Sequence, residues 1–300
     1  MPTAMVLCAG FGTRLRPLTD ELPKPLMPIG DRSALAHILD SLARAGLRRA
    51  VVNAYHLASA FSLDPRADLE VVLSPEPEVL GTAGGLAYAA PHLGDDDVLV
   101  WNGDIHAPDL DPTSLLAAHA ATKAPWTWLV APRPRGEGTV GLDEAGRVVR
   151  LRGRCFGHEV SGGDFLGISV ISPGLRRALP RQGCLVGDLA LPHLERGGCI
   201  ASHSFDGEFH DIGHPAALLG ANLAWLQRHG LPCHRAASAH IDAGIALDQS
   251  VVSEGATVTG QGTLHRVLVL PGAEAHAPLA SAIVGRTVSV EVGAGANPGA

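Results

Sequence analysis

Residues 7–29 read LCAGFGTRLRPLTDELPKPLMPI. The apolar run ahead of them, AMVLC at 4–8, reads as a buried strand that Gly10 ends in a turn. Ala9-Gly10-Phe11-Gly12-Thr13-Arg14 then forms a loop of mostly small residues. Glycine has no Cβ, so a phosphate oxygen can approach the backbone N–H groups of such a loop closely. The loop is not a Walker A motif, because no Gly-Lys-Ser/Thr follows it, and it lacks the third glycine of a dinucleotide fingerprint. Arg14 supplies a fork of donors suited to bidentate phosphate contact. Lys24 stands between Pro23 and Pro25, which restrict the backbone on both sides and so place a single ammonium on a stiff segment.

Outward from this stretch, short apolar strands alternate with helices. Leu35, Ile38, Leu39 and Leu42 mark an amphipathic helix over 33–45, with Gly46 as its stop. Strands are expected at 50–54 and 69–73, and a helix at 84–90 ended by Pro91. VLVW at 98–101 is a further strand, followed by Asn102-Gly103-Asp104; a helix over 112–121 and a strand at 126–130 come next. This alternation predicts an α/β protein with a mostly parallel sheet covered on both faces. Between 133 and 172 the strands 140–142, 148–151 and 165–171 have no helices between them, which predicts an antiparallel insertion. A last helix over 216–228 carries Leu218, Leu219, Leu223 and Leu226 on one face.

After 236 the helical period disappears. VVSEGATV at 251, LVLPGAEA at 268 and IVGRTVSV at 283 align, with starts 17 and then 15 residues apart. Small residues with recurring aliphatics predict a few coils of a β-helix. The expected division is therefore 1–235, a coil domain over 236–293 and a frayed tail at 294–300. The coils expose edges that need covering, so they are expected to serve assembly rather than chemistry, in a homo-oligomer.

The 300 residues correspond to about two domains at a typical ~150 residues each. A hydrophobic fraction of 46% against 18% charged excludes a disordered chain. The net charge of −7, with no basic stripe, argues against a nucleic-acid partner. Five cysteines without a CxxC pair suggest neither a disulfide framework nor a zinc site, and fit reduced thiols in the cytoplasm. The first residues do not resemble a signal peptide, and no apolar run reaches the ~18 residues of a membrane span.

Leu7-x-Ala9-Gly10-x-Gly12-Thr13-Arg14-Leu15-x-Pro17-Leu18-Thr19, followed by Pro23-Lys24-Pro25-Leu26-x-Pro28, resembles the signature of the sugar-1-phosphate nucleotidyltransferases, or nucleotide-sugar pyrophosphorylases. The resemblance continues in Leu80-Gly81-Thr82-Ala83-Gly84-Gly85, in Trp101-Asn102-Gly103-Asp104, and in Phe209-His210-Asp211-Ile212-Gly213. It implies a Rossmann-like sheet followed by a short left-handed β-helix. It further implies transfer of a nucleoside monophosphate from an NTP to a sugar 1-phosphate, with Mg²⁺ held by Asp104 and Asp211. Arg14 and Lys24 are the implied catalytic cations. Ala9, Gly10, Gly12, Thr13, Gly84, Gly85 and Asn102 are the implied nucleotide-binding set, and Gly167 a sugar-side glycine. The Glu-Lys-Pro of many members is missing before the sugar-binding strand; Glu159 is the residue present to replace it. LGTAGG and the tail lean towards the mannose-1-phosphate guanylyltransferase branch. The short polar middle resembles muramate- and heptose-phosphate enzymes. A UTP- or other NTP-dependent enzyme on another sugar 1-phosphate, and a non-catalytic regulatory homologue, are the alternatives. His210 and His214 flank Asp211, but strand alternation turns His210 away from it.

Overall fold

A computed structural model describes residues 2–62 and 65–293; the tail expected to fray lies outside them. Packing divides the chain into two compact units, Met1–Gly10 with Ile38–Phe209, and Phe11–His37 with His210–Ala300.

The first unit is built on β1 (Thr3–Leu7), β2 (Arg49–Ala54), β3 (Glu70–Pro75) and β4 (Val98–Asn102). All four run parallel, in the order β4-β1-β2-β3. β1 lies between β2 and β4, with Met5 opposite both Val51 and Val100. That central place explains its unbroken apolar run, since Ala4, Met5 and Val6 are fully buried. Helix α1 (Ala34–Arg44) buries the four aliphatics that predicted it, and Gly46 follows it at φ 77°.

The predicted antiparallel insertion is present. β5 (Trp126–Arg133), β6 (Val140–Leu142), β7 (Val148–Leu151), β8 (Arg154–Cys155) and β9 (Ser161–Ile171) follow in turn. β9 runs antiparallel to β4, β5 and β6, and so joins the insertion to the parallel strands. β10 (Ala201–Ser204), which the sequence pattern did not mark, pairs in parallel with β5.

Helix α2 covers Gly81–Tyr88 and starts three residues earlier than the pattern indicates. Gly-Thr-Ala-Gly-Gly has little helical preference of its own. Its first turn is fastened from outside instead: Gly183 donates to the Leu80 carbonyl at 2.8 Å, and Ala83 donates to the Gly183 carbonyl at 2.9 Å. Helix α3 (Pro112–Thr122) is capped by Asp111, whose carboxylate accepts from Thr113 N–H.

In the second unit, helix α4 (Pro215–Arg228) is followed by a sheet whose strands pair mainly in parallel with later copies of themselves. Val251 lies opposite Leu268, and Leu268 opposite Ile283, so the three aligned sequence stretches are neighbouring rungs. A register shift between Gly260 and Leu264 accounts for the shorter second interval. One hydrophobic core holds Val252, Val258 and Val269 of the rungs, Leu218 and Trp225 of α4, and Leu15, Leu18 and Met27 of the loop. Packing therefore divides the chain at Phe209/His210, not at the 235/236 change of pattern, because α4 buries its apolar face on the rungs. Glu21 ties loop to rungs: its carboxylate accepts from Arg286 N–H at 2.6 Å, from Thr287 N–H at 2.8 Å and from the Thr287 hydroxyl. Burial alone would raise its carboxyl, but the bonds from Thr287 and Arg286 hold it below the ordinary value.

Candidate active site

The carboxyl ends of β1, β2 and β4 open onto a cavity of about 180 Å³, lined by Leu7, Ala9, Gly10, Asn53, Val79, Gly81, Thr82, Asn102 and Asp104. This is the end of an open parallel sheet at which ligands bind. Four of the expected residues, Ala9, Gly10, Asn102 and Asp104, come together there. Burial and then the nearby Asp104 carboxylate push the Cys8 thiol well above its ordinary value, so Cys8 is a packing residue rather than a nucleophile.

Gly84 and Gly85 lie past the cavity, inside α2. A Cβ on Gly84 would stand 2.6 Å from the Arg181 carbonyl oxygen, and one on Gly85 would stand 2.4 Å from Glu76 Oε1 and 2.6 Å from Asn53 Nδ2. Both glycines make room for neighbours, while Gly81 and Thr82 supply the cavity wall expected of them. Asn53 and Glu76 escaped the sequence reading. The only signal was an asparagine closing the apolar strand AVVNA, followed by a carboxylate at a buried position.

Gly167 sits in an irregular stretch of β9 at φ 70°, where a Cβ would lie 2.3 Å from Asn102 Nδ2. It backs the Asn102 side chain. Glu159 is committed elsewhere. Arg150 donates to its Oε2 at 2.8 Å and its Oε1 at 3.1 Å, and Gly136 N–H donates to Oε1 at 2.8 Å. Those bonds, first the one from Arg150, hold the Glu159 carboxyl below its ordinary value. The expected sugar contact is thus a fastening of the loop between β5 and β6.

In the second unit, Leu15 and Leu18 are fully buried and hold the loop down, leaving Arg14 beside them at the surface. Gly12 is at φ 62°, and a Cβ there would fall 2.8 Å from Thr19 Cγ2. Its carbonyl accepts from the Thr19 hydroxyl at 3.0 Å and from Leu15 N–H at 2.9 Å. Gly12 and Thr13 thus form the turn that presents Arg14. Lys24 is almost buried, in a short helical turn begun by Pro23. Its Nζ lies 3.7 Å from Asp211 Oδ1, and an Arg14 guanidinium nitrogen lies 3.7 Å from Asp211 Oδ2. A side chain on Gly213 would press on both Arg14 and Asp211. His214 Nδ1 accepts from Ala217 N–H at 3.4 Å, so His214 caps α4.

Among the described residues no three His, Cys, Asp or Glu side chains form a metal-binding group. Asp104 on the cavity wall and the half-exposed Asp211 are hard oxygen donors. Each carboxylate by itself suits a cation which takes one or two carboxylates and fills its shell with water and phosphate oxygens. No helix of the described residues is long and apolar enough to cross a membrane.

The sequence profile of the nucleotidyl transferases matches residues 3–153. Mannose-1-phosphate guanylyltransferase of Mycobacterium tuberculosis is 35% identical over 152 residues, covering 49% of this chain and 42% of that protein. A probable mannose-1-phosphate guanylyltransferase of Oryza sativa is 26% identical over 313 residues, covering 94% of this chain and 85% of that one. The chain thus spans less than half the length of the first of these relatives. The crystal structure of HddC from Yersinia pseudotuberculosis shares the fold with a TM-score of 0.63 at 22% identity, covering 75% of this chain and 100% of HddC. The matched half carries β1, the glycine loop, Arg14, Lys24, the α2 turn and Asp104, and on that match the chain belongs to the nucleotidyl transferase family.

Proposed function

We propose that the protein is an enzyme that transfers a nucleoside monophosphate from an NTP to a sugar 1-phosphate and releases pyrophosphate. The observation that carries this reading is the Asp211 carboxylate held between Arg14 and Lys24 of the amino-terminal loop. The curated relatives favour GTP and mannose 1-phosphate as the first pair to try.

A sugar-phosphate oxygen attacks the α-phosphorus in line, forming a P–O bond as the bond to pyrophosphate breaks. The nucleophile is already an anion, so no general base is required. The barrier is repulsion between anions, and catalysis is positioning plus neutralisation of charge. Backbone at Ala9, Gly10 and Gly81, with the Asn102 side chain, holds the nucleoside. Arg14 holds the leaving pyrophosphate through its fork, and Lys24 neutralises the reacting phosphates. Asp104 and Asp211 would hold Mg²⁺, which when bound neutralises phosphate charge and fixes phosphate geometry.

The parallel rungs after residue 233 fit a short left-handed β-helix whose uncovered edges suit a homo-oligomer. A non-catalytic homologue is the weaker reading, since Arg14, Lys24, Asp104 and Asp211 are all in place. The test is pyrophosphate release from each of the four NTPs against a panel of sugar 1-phosphates, with Mg²⁺ and with EDTA. Release from one pair, abolished by EDTA, is expected; no release from any pair sinks the reading.

A further inference from the structure

Asn53 lines the cavity, and Glu76 is paired with it among the buried residues. Asn53 is 2% exposed and Glu76 7%. Asn53 Oδ1 accepts from Cys8 N–H at 2.6 Å, and Asn53 Nδ2 donates to Glu76 Oε1 at 2.6 Å. Glu76 Oε2 accepts from Leu80 N–H at 3.1 Å. A backbone N–H only donates, so the Asn53 carbonyl must face Cys8 and its amide must face Glu76. One chain of bonds thereby joins the last residue before the glycine loop to the residue before α2. These are the two segments that bring Ala9, Gly10, Gly81 and Thr82 to the lining of one cavity. Gly85 belongs to the same device, because any side chain there would strike both members of the pair.

We propose that Glu76 is a positioning residue for the nucleotide, acting through Asn53 and Leu80 to set the spacing of the two lining segments. The inference rests on the nucleotidyltransferase reading of that cavity. It does not require Glu76 to touch the nucleotide. What it requires is the alternation of donors and acceptors along Cys8, Asn53, Glu76 and Leu80, because both ends are fixed as donors and the middle must supply an acceptor to each.

That requirement dictates the experiment. Glu76→Gln leaves one oxygen for two donors, so one tie is lost or an N–H faces an N–H. Asn53→Asp sets two carboxylates against each other. The double variant Asn53→Asp/Glu76→Gln restores the alternation in reverse. The carboxylate at position 53 then accepts from Cys8 N–H and from the amide introduced at position 76, whose oxygen accepts from Leu80 N–H. Calorimetric titration of the full chain with GTP, UTP, ATP and CTP, alongside thermal melting, reads the outcome. Each single variant is expected to weaken the nucleotide that binds the wild type by about tenfold or more. The double variant is expected to return to within about threefold of wild type. Recovery of affinity by reversed polarity is not the behaviour of a residue that only fills space. Single variants that bind as tightly as wild type, or a double variant no better than the worse single, overturn the proposal. If Asn53→Asp does not fold, Glu76→Gln against the double variant still decides it. A wild type that binds none of the four nucleotides removes the parent reading and this one with it. Intact binding in all variants removes this one alone.

Discussion

Arg14 and Lys24 face opposite oxygens of one carboxylate but differ in reach and exposure. Arg14 is two-thirds exposed and Lys24 about one-tenth, so in the proposed reaction the guanidinium has room to follow a leaving group while the ammonium is enclosed. An interaction that strengthens only in the transition state appears in kcat, whereas uniform binding appears in KM. Arg14→Ala is expected to lower kcat by roughly 10²-fold or more, and Arg14→Lys to be poorly tolerated because an ammonium cannot reproduce the fork. Lys24→Ala is expected to raise KM for the sugar phosphate as well as slow turnover. Steady-state kinetics with each substrate varied decides between them; full kcat in Arg14→Lys reverses the assignment. Both cations stand out in the sequence because the motif around them is long and specific. Glu159 does not, because its sequence position says nothing of Arg150, which takes both its oxygens. Its carboxyl is held below the ordinary value. Its stabilising contribution is therefore full above the ordinary glutamate pKa of ~4.3 and lost as pH falls through the lowered folded value. Glu159→Gln is expected to melt below wild type at neutral pH, with the gap closing in acid and KM for the sugar phosphate unchanged. A raised KM with unchanged melting restores Glu159 as a sugar contact.

The boundaries of most elements follow from apolar periodicity, and the exceptions are informative. α2 begins at Gly81 because the segment from Arg181 to Leu185 holds its first turn, with Leu185 N–H donating to the Thr82 hydroxyl at 2.8 Å. No local signal in GTAGG carries that partner from about a hundred residues away. The same contact makes Gly84 indispensable to the element. A methyl there meets a backbone carbonyl, which cannot swing aside as a flexible side chain can. Gly84→Ala, although favourable to helix propensity, is expected to destabilise by about 1–3 kcal/mol through overpacking. Chemical denaturation measures it, and an unchanged or raised midpoint means the 181–185 segment gives way. β10 and the short helical turns leave no mark in the pattern because they are held by neighbours rather than by periodicity.

Across the chain, packing ties the rungs to the loop that bears Arg14 and Lys24. The loop bearing Arg14 and Lys24 buries its apolar residues in the core it shares with α4 and the rungs. A chain ending at 235 removes Val252, Val258, Leu268 and Val269 from beneath Leu15, Leu18 and Met27. The change of pattern at 236 suggests an appendage that chemistry can spare, but the shared core points the other way. Truncation there is expected to abolish turnover and to cause aggregation on expression. Activity and light scattering on the truncated and full-length proteins settle it. Full specific activity in a well-folded truncated chain means the loop stands without the rungs.

Glu21 and Thr287 are 266 positions apart in the chain. During synthesis the amino-terminal loop leaves the ribosome long before its carboxyl-terminal partner exists. At roughly 5–20 residues per second the delay is tens of seconds. For that interval the parallel sheet grows while the apolar residues of the loop have nowhere to go, the kind of exposed, long-range-dependent species that chaperones retain. The loop that carries both cations is the first segment of its unit to be made, and it is secured only once the rungs that hold it have been synthesised.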